Sequence, residues 1–370
     1  MKTIEIGSAK SEPGKVTYGF INTLTLPTGI VERIPVLIAQ GMNEGPTFFL
    51  TANIHGQELT GIAVIHELVT ESLARELKGT IVALPTINPS GLRQVQRSPE
   101  FDDRDPNRLF PEGKFAKEED EEDEDRKYPR TFEQVAKKIY SYLEKYADFH
   151  IDFHNHYIRS IPYSILDRVF YEDESEKEEA ERLCEKQKAM VDAFGVFKAA
   201  EFPPKKYLKL KYHRSFSGAA LNSLRIPAIT IELGGNSVIF PEIVTGSVKG
   251  ARNVLRWAGM LEDPSEKITE FPLPNENDEL VRRCEHPRSK HSGIIKFLVG
   301  PGDKVKKGQP VASITDIFGR SLGDGYIRSE HDGYMIALQS KITVYPNDAI
   351  AEMGIKNDEP LVVPIPVKKE

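Results

Sequence analysis

Two residues of metal-ligand type, His55 and Glu58, stand three positions apart directly after Pro46–Ala52, a run that reads as a buried strand. His154 closes a second strand-like run and Glu232 a third, while the loop after a fourth, residues 80–87, carries Arg97, Asp105, Asn107 and Arg108. Imidazole and carboxylate are both zinc-type ligands, and zinc held by two imidazoles and one carboxylate keeps a coordination position open for water. The ion lowers the pKa of that water towards neutrality and polarises a carbonyl. A nearby carboxylate can take the water's proton and pass it to a leaving amine. Guanidinium groups hold a carboxylate in a two-point fork and stabilise a developing oxyanion. Such a set of parts hydrolyses an amide in a substrate that carries a carboxylate.

The elements that must position these residues follow from periodicity. A helical pattern over 59–73 follows the first strand, with Ile62, Ile65, Leu68 and Val69 as its apolar positions. Thr80–Ile87 is a continuous apolar run, as found in a sheet buried on both faces. Strand, helix and strand with short connections make a βαβ unit and so imply a parallel sheet. Residues 92–112 show no regular period. Thr131 with Gln134 reads as a capping box for a helix reaching Tyr146. Alternation along 147–156 puts His150, Asp152, His154 and His156 on one face. Further helices are expected at 173–194, closed by Gly195, at 218–225 and at 241–261, with the strand Ile226–Leu233 between the last two. Ligands bind at the carboxyl ends of such strands, and each of these buried strands stops at a zinc-type or acid/base residue.

Bulk properties narrow the class. The formal net charge of −7 over 370 residues argues against a nucleic-acid partner, which favours a basic balance. No apolar run is long enough to span a bilayer, and the start Met-Lys-Thr-Ile-Glu lacks the apolar core of a signal peptide. Cys184 and Cys284 stand in no paired motif and read as thiols. The expected location is the cytoplasm. The eight consecutive acids at 118–125 read as a solvated loop.

His55-Gly-Gln-Glu58, Asp105-Pro-Asn-Arg108, Asp152-Phe-His-Asn155 and Thr230-Ile-Glu232-Leu-Gly-Gly resemble, in order, the motifs of the succinylglutamate desuccinylase/aspartoacylase family, within the zinc carboxypeptidase-like superfamily. The resemblance runs from about residue 30 to 355. It implies an α/β fold with a mixed, mainly parallel sheet flanked by helices, followed by a small C-terminal all-β domain like a biotinyl/lipoyl half-barrel. Position by position it implies one zinc ion held by His55, Glu58 and His154. Glu232 matches the general acid/base, and Asn107 with Arg108 the pair that binds a substrate carboxylate. Arg97 matches the arginine that polarises the scissile carbonyl, with Arg104 as its competitor. Asp105 matches an acid that hydrogen-bonds a zinc-held imidazole and fixes its tautomer. His156 matches no ligand position and reads as pocket lining. Pro106 stands where the family motif has leucine, which stiffens the loop but keeps the working residues.

The division implied is a catalytic domain over 1–262, a linker over 263–284, a β domain over 285–358 and a tail over 359–370. The hairpin Ser329-Glu-His-Asp-Gly-Tyr334 has no lysine at its tip, against a swinging carrier; the domain is expected to cover the cleft or build an oligomer contact. Cys284, His286 and His291 read as scattered residues near the linker. The expected activity is zinc-dependent cleavage of the amide in an N-acyl amino acid or similar small carboxylated amide. A peptide-cleaving metallocarboxypeptidase and a non-catalytic metal-bearing protein on the same fold are the alternatives. The expected partner is the small-molecule substrate, with no nucleic acid or membrane and with a homo-oligomer left open.

Overall fold

In the computed structural model, residues 3–115, 128–271, 273–274 and 280–366 are described. The acidic run at 118–125 lies outside them. Thirteen strands join into one twisted sheet. Its order is 304–305, 333–338, 351–356, 281–284, 197–200, 163–166, 228–232, 149–154, 43–52, 78–84, 31–40 and 15–25, with 159–160 pairing off the path to 333–338. The centre of the sheet, from 281–284 to 78–84, is parallel except where 228–232 meets 163–166. Both flanks are antiparallel. A second sheet of four strands, 321–328, 310–315, 293–297 and 343–344, forms a smaller C-terminal layer whose apolar core is shared with the strands 333–338 and 351–356 of the large sheet.

The central strands are buried on both faces because helices cover them. Phe48, Phe49, Leu50, Ile151, Phe153, Ile229 and Ile231 are at most 1 % exposed. Each such side chain contributes roughly 1.5–3 kcal/mol by leaving water. Phe48 stacks on Phe149 of the neighbouring strand at 5.5 Å between ring centroids. The helices Lys177–Phe194 and Pro241–Trp257 bury their apolar stripes on this sheet. Gly195, at φ 80°, ends the first of them as expected.

Several boundaries differ from the sequence reading. The helix expected over 59–73 is two, Thr60–Leu68 and Glu71–Glu76, because the Thr70 side chain caps the second by accepting the Leu73 N–H. The helix Thr131–Tyr146 is capped by Glu133, whose carboxylate accepts the Arg130 N–H at 3.0 Å, and not by Gln134, which donates to the Pro129 carbonyl. The irregular stretch holds a short helix, Pro89–Gln94, whose N-cap Asn88 accepts the Gly91 N–H, and a 3-10 turn, Pro106–Arg108. The last four residues of the segment expected as a linker, Val281–Cys284, form a strand of the large sheet. Three strands of the C-terminal region, 304–305, 333–338 and 351–356, extend that sheet further, so both parts of the chain contribute to it.

Candidate active site

The corner after Asn43–Ala52 is built by one side chain. Asn53 sits in the left-handed region at φ 57°, which asparagine tolerates better than most residues. Its amide nitrogen donates to the carbonyls of His55, Gly56 and Glu58 at 3.2, 3.0 and 2.9 Å, and its oxygen accepts from Thr86 at 2.7 Å. The backbone of residues 55–58 is thereby wrapped around a buried amide. Gly56 packs against Gly91 so closely that a Cβ would lie 2.0 Å from a backbone carbon. Asn155 ties the end of the second strand to the same corner: its N–H donates to Glu58 at 3.1 Å and its side chain exchanges hydrogen bonds with Thr60.

Register supplies the rest. Glu232 pairs with His154 across parallel strands, and Thr230 pairs with Asp152. The His154 and Glu232 side chains therefore emerge at the same level of the sheet edge. His55 and His154 tilt towards each other, with ring centroids 5.3 Å apart. Glu58 lies between them, one oxygen 2.7 Å from His55 Nδ1 and the other 2.9 Å from His154 Nδ1. On the far sides, His55 Nε2 meets Asp105 at 2.9 Å and His154 Nε2 meets Asp152 at 3.0 Å. Thr51 donates to the other Asp152 oxygen at 2.6 Å, and Asp105 also accepts the Asn107 N–H, the first bond of the turn that Pro106 opens.

These residues fit a metal cation. His55, Glu58 and His154 are all buried and their ligand atoms lie within 4.8 Å of one another. Each imidazole lies between two carboxylates, Glu58 on its Nδ1 side and an aspartate on its Nε2 side, so the cluster carries an excess of negative charge that protons on the rings or a bound cation would balance. Burial opposes ionisation of Glu58, but His55 and His154 outweigh it and hold the carboxyl well below its usual range. Burial likewise opposes charge on Asp105, and His55 and Arg97 reverse that. Nitrogen and carboxylate donors with aspartates behind both imidazoles are the arrangement that fixes tautomers for metal binding.

His55, Glu58, Arg97, Asn107, Arg108, His154 and Glu232 line one cavity of about 230 Å³, and Asp105 stands behind His55. Arg97 reaches Asp105 at 2.8 Å. Arg104 is instead tied to Asp102 and Glu133 at 2.7 and 2.9 Å and does not line the cavity. Arg108 lies over the Tyr212 ring, 3.8 Å from its centroid, and donates to the Asn107 carbonyl at 2.6 Å. The Asn107 oxygen accepts the Phe216 N–H at 2.8 Å, which sets the rotation of its amide. One Glu232 oxygen is buried without a hydrogen-bond partner. Burial raises the Glu232 pKa above the ordinary carboxylate value, against the pull of His154 and His156.

Sequence reasoning assigned no role to Arg283, which lines this pocket, or to Asp152 and Glu352, which stand behind it. Asp152 lay on the flagged strand face, but alternation alone does not say that it supports His154. Arg283 enters from Val281–Cys284, held between Glu201 at 3.2 Å and Glu352 at 2.8 Å, and Glu352 comes from the strand Ala351–Lys356. His156 stacks on Tyr157 and reaches Glu352 at 3.4 Å. No local signal points to Arg283 or Glu352, since only the pairing of distant strands brings them here.

Asp167 closes the pocket floor and gives a pH test. It accepts hydroxyls from Tyr207 and Ser217, both at 2.9 Å. Burial, with Glu201 nearby, pushes its carboxyl up to about 7 from an ordinary 3.8. The native state therefore holds this proton more tightly than the unfolded chain. The stabilisation is full below about pH 4 and is lost as pH rises to about 7, at about 1.4 kcal/mol per unit. The urea midpoint of Asp167→Asn should rise relative to the native chain over that window. A constant difference would show Asp167 ionised throughout.

The family model for the succinylglutamate desuccinylase/aspartoacylase catalytic domain matches residues 44–258, the stretch holding every residue of the triad and Glu232. The chain belongs to the succinylglutamate desuccinylase/aspartoacylase family, within the zinc carboxypeptidase-like superfamily. It is thus a hydrolase of non-peptide amide C–N bonds, acting on a small substrate of the N-acyl amino acid kind, with a candidate buried metal triad. Over 330 residues it is 25 % identical to the N-alpha-acetyl-L-2,4-diaminobutyric acid deacetylase of Halomonas elongata, covering 86 % of this chain and 84 % of that one. Its fold is similar to that of an aspartoacylase family protein from Mesorhizobium loti, with a TM-score of 0.72 at 19 % identity over 96 % of this chain and 99 % of that one. It is also similar to the product-bound ectoine utilization protein EutE (DoeB) of Ruegeria pomeroyi, with a TM-score of 0.69 at 22 % identity over 92 % and 95 %.

Proposed function

We propose that this chain is a zinc-dependent deacylase that frees a small amino acid from a short acyl group, using His55, Glu58 and His154 to hold one zinc ion. The observation that carries the reading is the placement of Glu232, with a buried, unpartnered carboxylate oxygen, level with His154 and facing the same cavity as the triad. When bound, zinc supplies Lewis acidity, which polarises the scissile carbonyl and makes water acidic enough to attack near neutral pH. Glu232 takes the proton of the attacking water and returns it to the departing amine nitrogen. Its raised pKa suits both halves of that transfer. Arg97 lines the cavity beside Glu58 at 3.8 Å, where its guanidinium can stabilise charge developing on the carbonyl oxygen. Arg108, placed over Tyr212, and Asn107, fixed by Phe216, hold the substrate carboxylate. Asp105 and Asp152 keep the two imidazoles in one tautomer.

A cavity of about 230 Å³ matches an acylated amino acid better than an extended peptide, and Arg283, held by Glu201 and Glu352, forms part of its wall. The Halomonas elongata relative acts, by its name, on an acetylated amino acid, so acetyl is the acyl group we put first. We read the four-stranded C-terminal sheet as the half-barrel, and the neighbouring strands Val281–Cys284 and Ala351–Lys356 of the large sheet as closing the pocket through Arg283 and Glu352. The two buried free cysteines are in keeping with a cytoplasmic protein. Among the described residues no helix is long and apolar enough to cross a membrane.

Arg108→Ala tests the substrate assignment. A hydrogen-bonded charge pair contributes roughly 1.5–3 kcal/mol, so kcat/KM for carboxylate-bearing amides should fall about 10- to 100-fold. Neutral amides of the same acyl group should be little affected. Equal loss on both classes would make Arg108 a structural residue.

A further inference from the structure

Away from the catalytic cavity, the described residues bring a second set of metal-type donors together: Cys284, His286 and His331, with ligand atoms within 4.8 Å of one another. Their sequence positions hide the set, because His331 lies 45 residues beyond His286, at the tip between the strands Ser321–Arg328 and Gly333–Leu338. His291, the histidine nearer in sequence, is not in it.

We propose that Cys284, His286 and His331 bind a second metal ion, a zinc-class divalent cation, that clamps the C-terminal hairpin to the strand carrying Arg283. The backbone prepares the site. Cys284 pairs with Met353, and Met353 pairs on its other side with Met335, so the hairpin and the cysteine strand flank one shared strand. The His286 N–H donates back to the Cys284 carbonyl at 3.1 Å, which folds the histidine towards the thiol. The hairpin tip is pinned by Ser329, whose hydroxyl donates to the His331 carbonyl at 2.6 Å, and by Asp332, which accepts the Lys307 N–H at 2.7 Å. The two imidazoles meet nearly edge to face, at 5.1 Å and 85°, so their nitrogens converge from different directions.

The donor chemistry selects the ion. One thiolate and two imidazoles form a zinc-type set with one position left over. Glu330 is placed to fill it: its carboxylate lies 3.2 Å from His286 Nδ1, and half the side chain is exposed. That nitrogen is buried and meets no partner in hydrogen-bond geometry, so the closeness to Glu330 does not satisfy it. Binding replaces the thiol proton, which leaves to solvent, with a sulfur–metal bond. Cys284 follows Arg283 directly, and alternate residues of a strand face opposite sides. An ion on the cysteine side would therefore anchor the strand that presents Arg283 to the substrate pocket.

Cobalt distinguishes this site from the catalytic one, whose donors are only nitrogen and oxygen. The full-length protein, stripped and reloaded with cobalt(II), should take up two ions per chain and show a near-ultraviolet sulfur-to-cobalt charge-transfer band. Cys284→Ser should bind one ion and lose the band while keeping the visible cobalt spectrum of the other site. His331→Gln should weaken the second ion with the same loss of band. Cys184→Ser should change neither, since no metal-type cluster among the described residues includes Cys184. One ion per chain and no sulfur band in the native protein would overturn the assignment whatever the variants do. So would a band that survives Cys284→Ser.

Discussion

Glu232→Gln is expected to abolish turnover by a factor of about 10²–10⁴ while leaving the metal in place. Glutamine keeps the shape of the side chain but cannot take a proton from water. The loss should fall on kcat and not on KM, because Glu232 has no part in holding the substrate carboxylate. Among the described residues, no other carboxylate at the cavity is free to substitute. Asp167 is occupied by Tyr207 and Ser217, and Glu201 and Glu352 are committed to Arg283. Metal content by elemental analysis, measured beside the rate, separates a lost base from a lost metal. A variant that retains both the metal and the full rate would remove Glu232 from the chemistry.

Asp152→Asn should lower metal affinity about 10- to 100-fold, the usual consequence of weakening the group behind a metal-held histidine. Asp152 is completely buried, accepts the Thr51 hydroxyl at 2.6 Å and faces His154 Nε2 at 3.0 Å. An asparagine can still present an oxygen to that Nε2–H, and Thr51 can turn its hydroxyl to accept. Geometry is therefore kept while the negative charge that makes His154 a stronger donor is lost. Competition with a chelator of known strength measures the change. Excess zinc should restore most of the activity, which a variant damaged in its fold would not allow. An unchanged affinity would mean that Asp152 serves the strand and not the metal.

The contrast between these two residues shows what was legible in the sequence. Glu232 ends an apolar strand and is followed by two glycines, so its position at a sheet edge could be read locally. His55, Glu58 and His154 were readable for the same reason, each at the end of a buried run. Asp152 sat on the right face by alternation, yet its task depends on which way the His154 ring turns, and that is set by Glu58 from the corner after another strand. Arg97 and Arg104 could not be ranked from spacing alone in a loop without a period. Ion pairs to Asp102 and Glu133 hold Arg104 away from the cavity. Arg283, Glu352 and His331 were out of reach altogether. They depend on antiparallel pairing between strands as much as 69 residues apart, which no local pattern encodes. The four-residue strand Val281–Cys284 was likewise hidden in a stretch whose prolines and acids read as a connection.

Metal removal and return, followed by hydrolysis, tests the central claim most directly. The purified chain is stripped with a chelator, reloaded with zinc in measured amounts, and assayed on N-acetyl, N-succinyl and N-aspartyl amides that carry a free carboxylate. Hydrolysis of at least one of these amides should vanish on stripping and return in proportion to the zinc regained at the His55, Glu58 and His154 site. The Asp152→Asn chain should need more zinc for the same recovery. Hydrolysis that persists in the fully stripped chain, or a zinc-loaded chain that cleaves none of these amides, would contradict the assignment.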